Sequence, residues 1–376
     1  IGRMSDHDVR IYEVGPRDGL QNEASPIPTD AKLRFIELLA VGGLREIEAT
    51  SFVSPRAIPQ LADADELMRG LAADGGDGMR YPVLVPNERG FERAEAAGAR
   101  ALAVFTAASD AFTRRNIGMS VAESLDAFAP VLRRARNAGW WTRGYVSTAF
   151  GCPFSGRVDP QRVVDVALAL IELGADEVCI GDTIGVGTPG QVHELSARLA
   201  AAGVPVGRLA YHFHDTRGTA LANVLAGLED GVSCFDASTG GTGGCPYAPG
   251  AAGNLATEDL VYLLDGLGTG HRKIEVGLVL AEPGRLYVVG VADDAAVLNH
   301  GRIVLRCDAG TLRDRPELDT AFCGPPGPHI QVGRPTPTQP IDGICRNTQA
   351  DVRAQQPPRR ASGRWRRAAR RATDRP

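Results

Sequence analysis

From Val9 to about Leu267 the apolar positions follow two alternating rhythms. Short runs rich in β-branched residues, bounded by Gly, Pro or Asp, begin near Val9, Arg45, Met79, Ala99, Trp140, Asp176, Arg208 and Ser233 and read as strands. Between them the apolar positions recur at helical spacing. The pattern predicts a helix over Asp30–Val41, capped by Thr29 and stopped at Gly42-Gly43. Further helices are predicted over Ser120–Ala138, Pro160–Leu173 and Gly190–Ala202, each ending before a glycine, and over Thr216–Glu229 and Asn254–Leu264.

Eight strand–helix units spaced about 32 residues apart imply parallel strands, and that number and size suit an α/β fold of the (β/α)8 TIM-barrel type. An open doubly wound sheet seldom repeats so evenly. The barrel is expected over residues 5–268, followed by an atypical C-terminal region, 269–376. There Tyr287–Val291 and Ile303–Leu305 are short apolar runs that read as strands. From Arg315 onward ten of the 25 prolines fall within 62 residues and an Arg-rich tail follows, so disorder is expected from about residue 315. The abrupt change of composition is read as a shifted reading frame near residue 270.

Composition narrows the class. Of 376 residues 43% are hydrophobic and 23% charged, a globular balance. No apolar run approaches the roughly 18 residues that cross a bilayer, and the first ten residues have mixed charge without an apolar core. No membrane association and a cytoplasmic location are therefore expected. The net charge of −4 divides unevenly, with ten arginines and two aspartates placing +8 on Arg346–Pro376 and leaving −12 on residues 1–345. So acidic a body argues against a nucleic-acid partner. Seven cysteines without a CxxC pair read as free thiols.

Three constellations could carry chemistry. Arg17 and Asp18 follow the first strand at a Gly15-Pro16 turn, as a local ion pair or as part of a site. His212 and His214, two apart at the end of the seventh strand, project from one face and could be two ligands of a divalent ion or two packed histidines. The Gly-rich loop from Gly240 to Asn254 carries Cys245 and ends at Asn254, either a ligand oxygen or a helix cap. Glu48 in strand two and Asp182 at the end of strand six add carboxylates. All these residues lie at or beyond strand C-termini, where barrel enzymes place their sites. An Asp, two His and an Asn oxygen suit Mg²⁺ or Mn²⁺. Gly185-Val186-Gly187-Thr188-Pro189-Gly190 fits G-x-G-x-x-G, but in the sixth unit with Pro before the last Gly it reads as a loop rather than a dinucleotide site, leaving a phosphate contact open.

The stretches EVGPRDGLQNE, EATSFVSP, RGYVSTAFGCPF, GDTIGVGTPG, HFHDT and GGCPYAPGAAGNLATEDLVYLL resemble, in order and at similar spacing, the hydroxymethylglutaryl-CoA lyase family within the metal-dependent acyl-CoA barrels. The match runs from about residue 9 to 267, roughly 70% of the chain. The resemblance implies a metal held by Asp18, His212, His214 and Asn254, with Arg17 stabilising an enolate, Glu48 in the polar network and Cys245 as a mobile-loop acid/base. His212 or Asp182 is the candidate base. It also implies cleavage of 3-hydroxy-3-methylglutaryl-CoA to acetoacetate and acetyl-CoA, as in leucine degradation and ketone-body metabolism. The expected partners are a small-molecule acyl-CoA and further copies of the chain in a homo-oligomer. A related 3-hydroxyacyl-CoA as substrate, or an acyltransferase condensing acetyl-CoA with a 2-oxo acid, is the alternative; the Cys245 loop favours the lyase. Ala24 stands where many relatives carry Lys, Thr148 where some carry Cys, and the C-terminus departs from the family's further helices.

Overall fold

The computed structural model describes residues 9–23, 26–73, 78–244 and 253–270, together with the backbone of four strands between 279 and 308. Two compact units divide the chain, Ile1–Phe322 and Cys323–Pro376, and every described residue lies in the first. The proline- and arginine-rich tail falls outside the described residues, as does Cys245.

Parallel strands β1 (Arg10–Glu13), β2 (Glu46–Ile47), β3 (Thr50–Ser51), β4 (Val83–Leu84), β5 (Ala101–Ala107), β6 (Trp141–Ser147), β7 (Glu177–Asp182), β8 (Leu209–Phe213) and β9 (Cys234–Ala237) form one sheet in the order β2-β1-β9-β8-β7-β6-β5-β4-β3. β2 and β3 are two halves of one barrel strand. Between them the Glu48 N–H donates to the Glu13 carbonyl and the Ala49 N–H to the Pro82 carbonyl, so the ladder continues and the barrel closes. Eight barrel strands result, as the sequence pattern predicts.

Around them lie α1 (Thr29–Val41), α2 (Ala64–Ala73), α3 (Glu88–Ala96), α4 (Asp110–Ile117), α5 (Val121–Asn137), α6 (Pro160–Glu172), α7 (Pro189–Ala201), α8 (Ala220–Glu229) and α9 (Thr257–Leu267). α4 is an extra helix between β5 and the barrel helix α5. Ser120 caps α5 in a reciprocal capping box with Glu123. One predicted cap is corrected, and one of the two readings of Asn254 falls away. Thr29 sits inside α1 and its hydroxyl donates to Asp63 at 2.9 Å, a tertiary contact that no local pattern announces. Asn254 precedes α9 by three residues and caps nothing; Ala256 holds the cap position. Strands β10 (Val279–Glu282), β11 (Arg285–Val288), β12 (Asp294–Asn299) and β13 (Arg302–Asp308) make a separate antiparallel sheet, of which the two apolar runs mark β11 and β13. No helix among the described residues is long and apolar enough to cross a membrane, and Cys152, Cys179 and Cys234 are free and buried.

Alternation along the strands divides the core in two. Leu102, Val104, Val146, Val178, Ile180, Tyr211 and Phe235 face the helices, where they join the main apolar core. Tyr12, Leu84, Ala103, Tyr145, Cys179, Ala210 and Cys234 belong to a separate cluster inside the barrel. His212 and Asp236 follow Ala210 and Cys234 by two residues and therefore share the inner face.

At the C-terminal mouth one buried carboxylate joins three segments. Glu13 accepts hydrogen bonds from the Gly15 N–H (2.8 Å), the Thr239 N–H and hydroxyl (2.9 and 2.8 Å) and the Thr257 hydroxyl (2.7 Å). A side chain at Gly15 would put its Cβ 2.6 Å from that carboxylate, so the turn requires glycine. Glu13→Ala strands four buried donors and is expected to cost about 3 kcal/mol or more in urea unfolding. A loss below about 1 kcal/mol would show that the donors find other partners.

Candidate active site at the barrel mouth

A single π-helical turn, Gly15–Gly19, follows β1, with the Val14 carbonyl accepting the N–H groups of Arg17, Asp18 and Gly19. Such turns recur at functional sites because they aim a side chain a regular turn would not. Here the turn faces Arg17 and Asp18 into the mouth. Arg17 donates through Nε to Glu48 Oε2 at 2.7 Å and through Nη1 to Asp18 Oδ1 at 2.6 Å, so the predicted residues of strands one and two form one charged group.

β8 delivers His212 and His214, whose Nε2 atoms face each other at 3.2 Å. Asn254 arrives from an added strip: the Leu255 N–H donates to the Phe213 carbonyl and the Ser238 N–H to the Leu255 carbonyl, while Asn254 bridges to His214. Asn254 Nδ2 donates to Asp18 Oδ2 at 2.8 Å and to the Thr242 carbonyl at 2.9 Å. A Cβ at Gly243, where φ is 108°, would lie 2.5 Å from that amide nitrogen, so the loop base also requires glycine.

Charge distinguishes these groups. Burial opposes the Asp18 carboxylate, but Arg17 and the two imidazoles outweigh it and hold its carboxyl below the ordinary range. For Glu48 burial wins over Arg17 and pushes the carboxyl up. Burial also disfavours a charged His212, but the hydrogen bond and charge of Asp236, with Asp18 behind, raise its pKa.

The donor set fits a divalent cation. One ligand atom each from Asp18, His212 and His214 lies within 4.8 Å of the others. Asn254 Oδ1, buried and with no hydrogen-bond partner among the described residues, faces an unmet need for a positive charge or donor. Carboxylate and amide oxygens with two imidazoles make a mixed oxygen and nitrogen donor set for such an ion.

Asp182 is placed differently. Its oxygens accept the Val186 and Gly187 N–H groups at 3.0 and 2.8 Å, and burial raises its carboxyl despite those bonds. The G-x-G-x-x-G stretch is thus the loop between β7 and α7. Its amides at 186 and 187 are spent on Asp182, which argues against the phosphate contact left open above. Cys245 lies outside the described residues, but Gly244, just before it, lines the cavity and accepts from Asn22 Nδ2.

The sequence reading missed Asp236, Arg143 and Tyr145. Asp236 accepts from His212 Nδ1 at 3.0 Å and pairs with Arg143 at 2.7 Å. Arg143 Nη1 also donates to the Tyr145 hydroxyl at 3.2 Å, which donates to Glu48 Oε2 at 3.3 Å. The signal was slight: each of the strands VSCFDAS and WTRGYVS carries a single charged residue among apolar and small ones. Thr148 just after β6 holds φ of 58°, strain of the sort that collects at functional sites.

Arg17, Asp18, Tyr145, His212 and His214 line a cavity whose outer wall is apolar, with Val53, Ile58, Phe105 and Phe112. This is a (β/α)8 barrel with an apolar vestibule and a polar floor whose donors could hold a divalent cation, an arrangement suited to a metal-assisted barrel enzyme. Comparison with known proteins makes it particular. The HMGL-like family model matches residues 8–282, and the chain belongs to that family. It is 55% identical over 260 residues to the hydroxymethylglutaryl-CoA lyase of Pseudomonas mevalonii, covering 69% of this chain and 85% of that protein. It is 53% identical to the mitochondrial enzyme of Gallus gallus over 260 residues, 69% and 86% of the two chains. The crystal structure of the Pseudomonas aeruginosa hydroxymethylglutaryl-CoA lyase superposes with a TM-score of 0.67 at 49% identity, covering 70% of this chain and 87% of that one. An Acinetobacter baumannii HMG-CoA lyase solved with coenzyme A and 3-methylmalate gives 0.67 at 38%, over 70% and 86%.

His214→Ala and Asn254→Ala are expected to lower bound Mn²⁺, measured by metal analysis after dialysis, with the fold retained by circular dichroism. Unchanged metal content in both variants would refute the ligand set.

Proposed function

We propose that this chain cleaves 3-hydroxy-3-methylglutaryl-CoA into acetoacetate and acetyl-CoA by a retro-Claisen reaction that needs Mg²⁺ or Mn²⁺. The observation that carries the reading is the Arg17–Glu48–Asp18 group set against His212, His214 and Asn254 in a chain 55% identical to a hydroxymethylglutaryl-CoA lyase. Residues 5–268 are taken as the catalytic unit. A reducing compartment such as the cytoplasm suits the free buried thiols.

The reaction breaks the C2–C3 bond: C3 becomes the ketone of acetoacetate, and the electron pair passes to the thioester as an enolate. A divalent ion held by Asp18, His212, His214 and Asn254 would, when bound, supply positive charge that acidifies the C3 hydroxyl and polarises a carbonyl. Arg17 is a fixed cation at the cavity floor. Burial works against its charge, but Glu48 and Asp18 secure it, and they leave guanidinium donors for the developing enolate oxygen. His212 serves as a ligand rather than as the base, because Nδ1 is committed to Asp236 and Nε2 to the ligand set. The hydroxyl proton then falls to Asp182, flanked by Gly181 and Thr183 on the cavity wall. Its raised carboxyl suits a general base, and it must exchange its loop amides for substrate. Cys245, next in the chain after the cavity-lining Gly244, returns a proton to the enolate carbon.

Acetoacetate formation from 3-hydroxy-3-methylglutaryl-CoA, lost with a chelator and restored by Mg²⁺, is the test. Folded, metal-loaded protein without product would instead favour a related 3-hydroxyacyl-CoA or a condensation with a 2-oxo acid. Arg17→Gln is expected to lower kcat by about 10²–10³-fold, the usual loss for a donor that stabilises an oxyanion. Cys245→Ser should reduce turnover strongly with metal content unchanged; wild-type turnover would remove its assigned role.

A further inference from the structure

We propose that Asp236 is the positioning residue that sets the tautomer of His212, and so decides that its bare nitrogen faces the ligand set. The inference rests on the metal reading above and extends it to a residue outside that set. Asp236 is fully buried on β9, in register with His212 of β8 across the ladder. Its Oδ2 stands 3.0 Å from His212 Nδ1. A carboxylate so placed accepts, so Nδ1 carries the proton and Nε2 is left with its lone pair. That lone pair points toward His214 Nε2, 3.2 Å away, beside Asp18. With the opposite tautomer Nε2–H would occupy the ligand position, and the bare Nδ1 would set its lone pair against a buried carboxylate.

What makes Asp236 rigid enough for this task is its other oxygen. Oδ1 pairs with Arg143 Nη1 at 2.7 Å, and Arg143 Nε stands 3.0 Å from Glu177 Oε1. Both members of the first pair are wholly buried, so neither side chain can turn to water without leaving a naked charge behind. The remaining neighbour of Oδ2 is the Cys179 thiol at 3.5 Å, too weak a donor to compete with an imidazole N–H. Arg143 keeps Asp236 ionised and oriented, and Asp236 in turn holds the ring, an arrangement of carboxylate behind histidine that orients a metal-facing nitrogen.

Two measurements test this. In metal-free wild-type protein above pH 8, ¹⁵N NMR of the imidazoles should show His212 protonated at Nδ1 and bare at Nε2. Finding the proton on Nε2 overturns the proposal whether or not any variant folds. Asp236→Asn, near in shape but uncharged, should weaken Mn²⁺ binding by about 10–100-fold in a titration, the range seen when such outer partners are removed. Cys179→Ala, which touches the same oxygen but not His212, should leave Mn²⁺ affinity unchanged. Folded Asp236→Asn that binds Mn²⁺ like wild type, or Cys179→Ala that loses as much affinity, refutes the role. Neither readout requires turnover, so a wild-type chain that failed to cleave 3-hydroxy-3-methylglutaryl-CoA would leave this inference standing or falling by itself.

Discussion

A closed barrel of eight parallel strands must fill its own interior, and this one fills much of it with charge. Arg143 lies wholly out of contact with solvent, ringed by Asp236, Glu177 and the aromatic faces of Tyr12 and Tyr145. A lone guanidinium there would cost several kcal/mol to desolvate, and a lone carboxylate as much. The ions therefore hold each other in place, and each fixes the next. Asp236 reaches His212; Tyr145 reaches Glu48; Glu48 reaches Arg17. The functional groups at the mouth are the upper ends of this buried network, with almost no freedom to reorient.

The remaining members of the proposed ligand set are held by backbone geometry. Glu13 ties the turn that carries Arg17 and Asp18 to the first residue of α9, and the strip from 253 to 256 pairs with the ends of β8 and β9 to bring in Asn254. Glycines at 15 and 243 permit the two closest approaches. Together these features preorganise a site before any ligand arrives, at the entropic expense of ordering several loops. They also separate the carboxylates by environment. Asp18, between a guanidinium and two imidazoles, stays ionised, whereas Glu48 and Asp182 are pushed upward by burial. One charged oxygen donor and two proton-hungry carboxylates come from the same residue chemistry under different surroundings.

The fold was legible because the alternation of strand and helix is written locally, in β-branched runs and terminal glycines. The proposed ligands Asp18, His212, His214 and Asn254 could be suspected, since barrels place chemistry at strand C-terminal ends. The misses have a common cause. Thr29 was read as a cap, but its hydroxyl goes to Asp63; of the two readings of Asn254 the cap fails because its strip pairs with β8. Asp236 and Arg143 each stood as a lone charge in a strand, but their pairing between β6 and β9, 93 residues apart, has no local signature.

What the sequence by itself determined was the rhythm of elements and the inventory of reactive side chains, because propensity, capping and apolar periodicity act over a few residues. Only the closed barrel decided which side chains meet. Strand register turned His212 toward Asp236, the π-helical turn aimed Arg17 at Glu48, and the loop amides claimed Asp182. Those choices depend on distances between segments far apart in the chain, and a buried charge accepts only the partner that closure brings within reach.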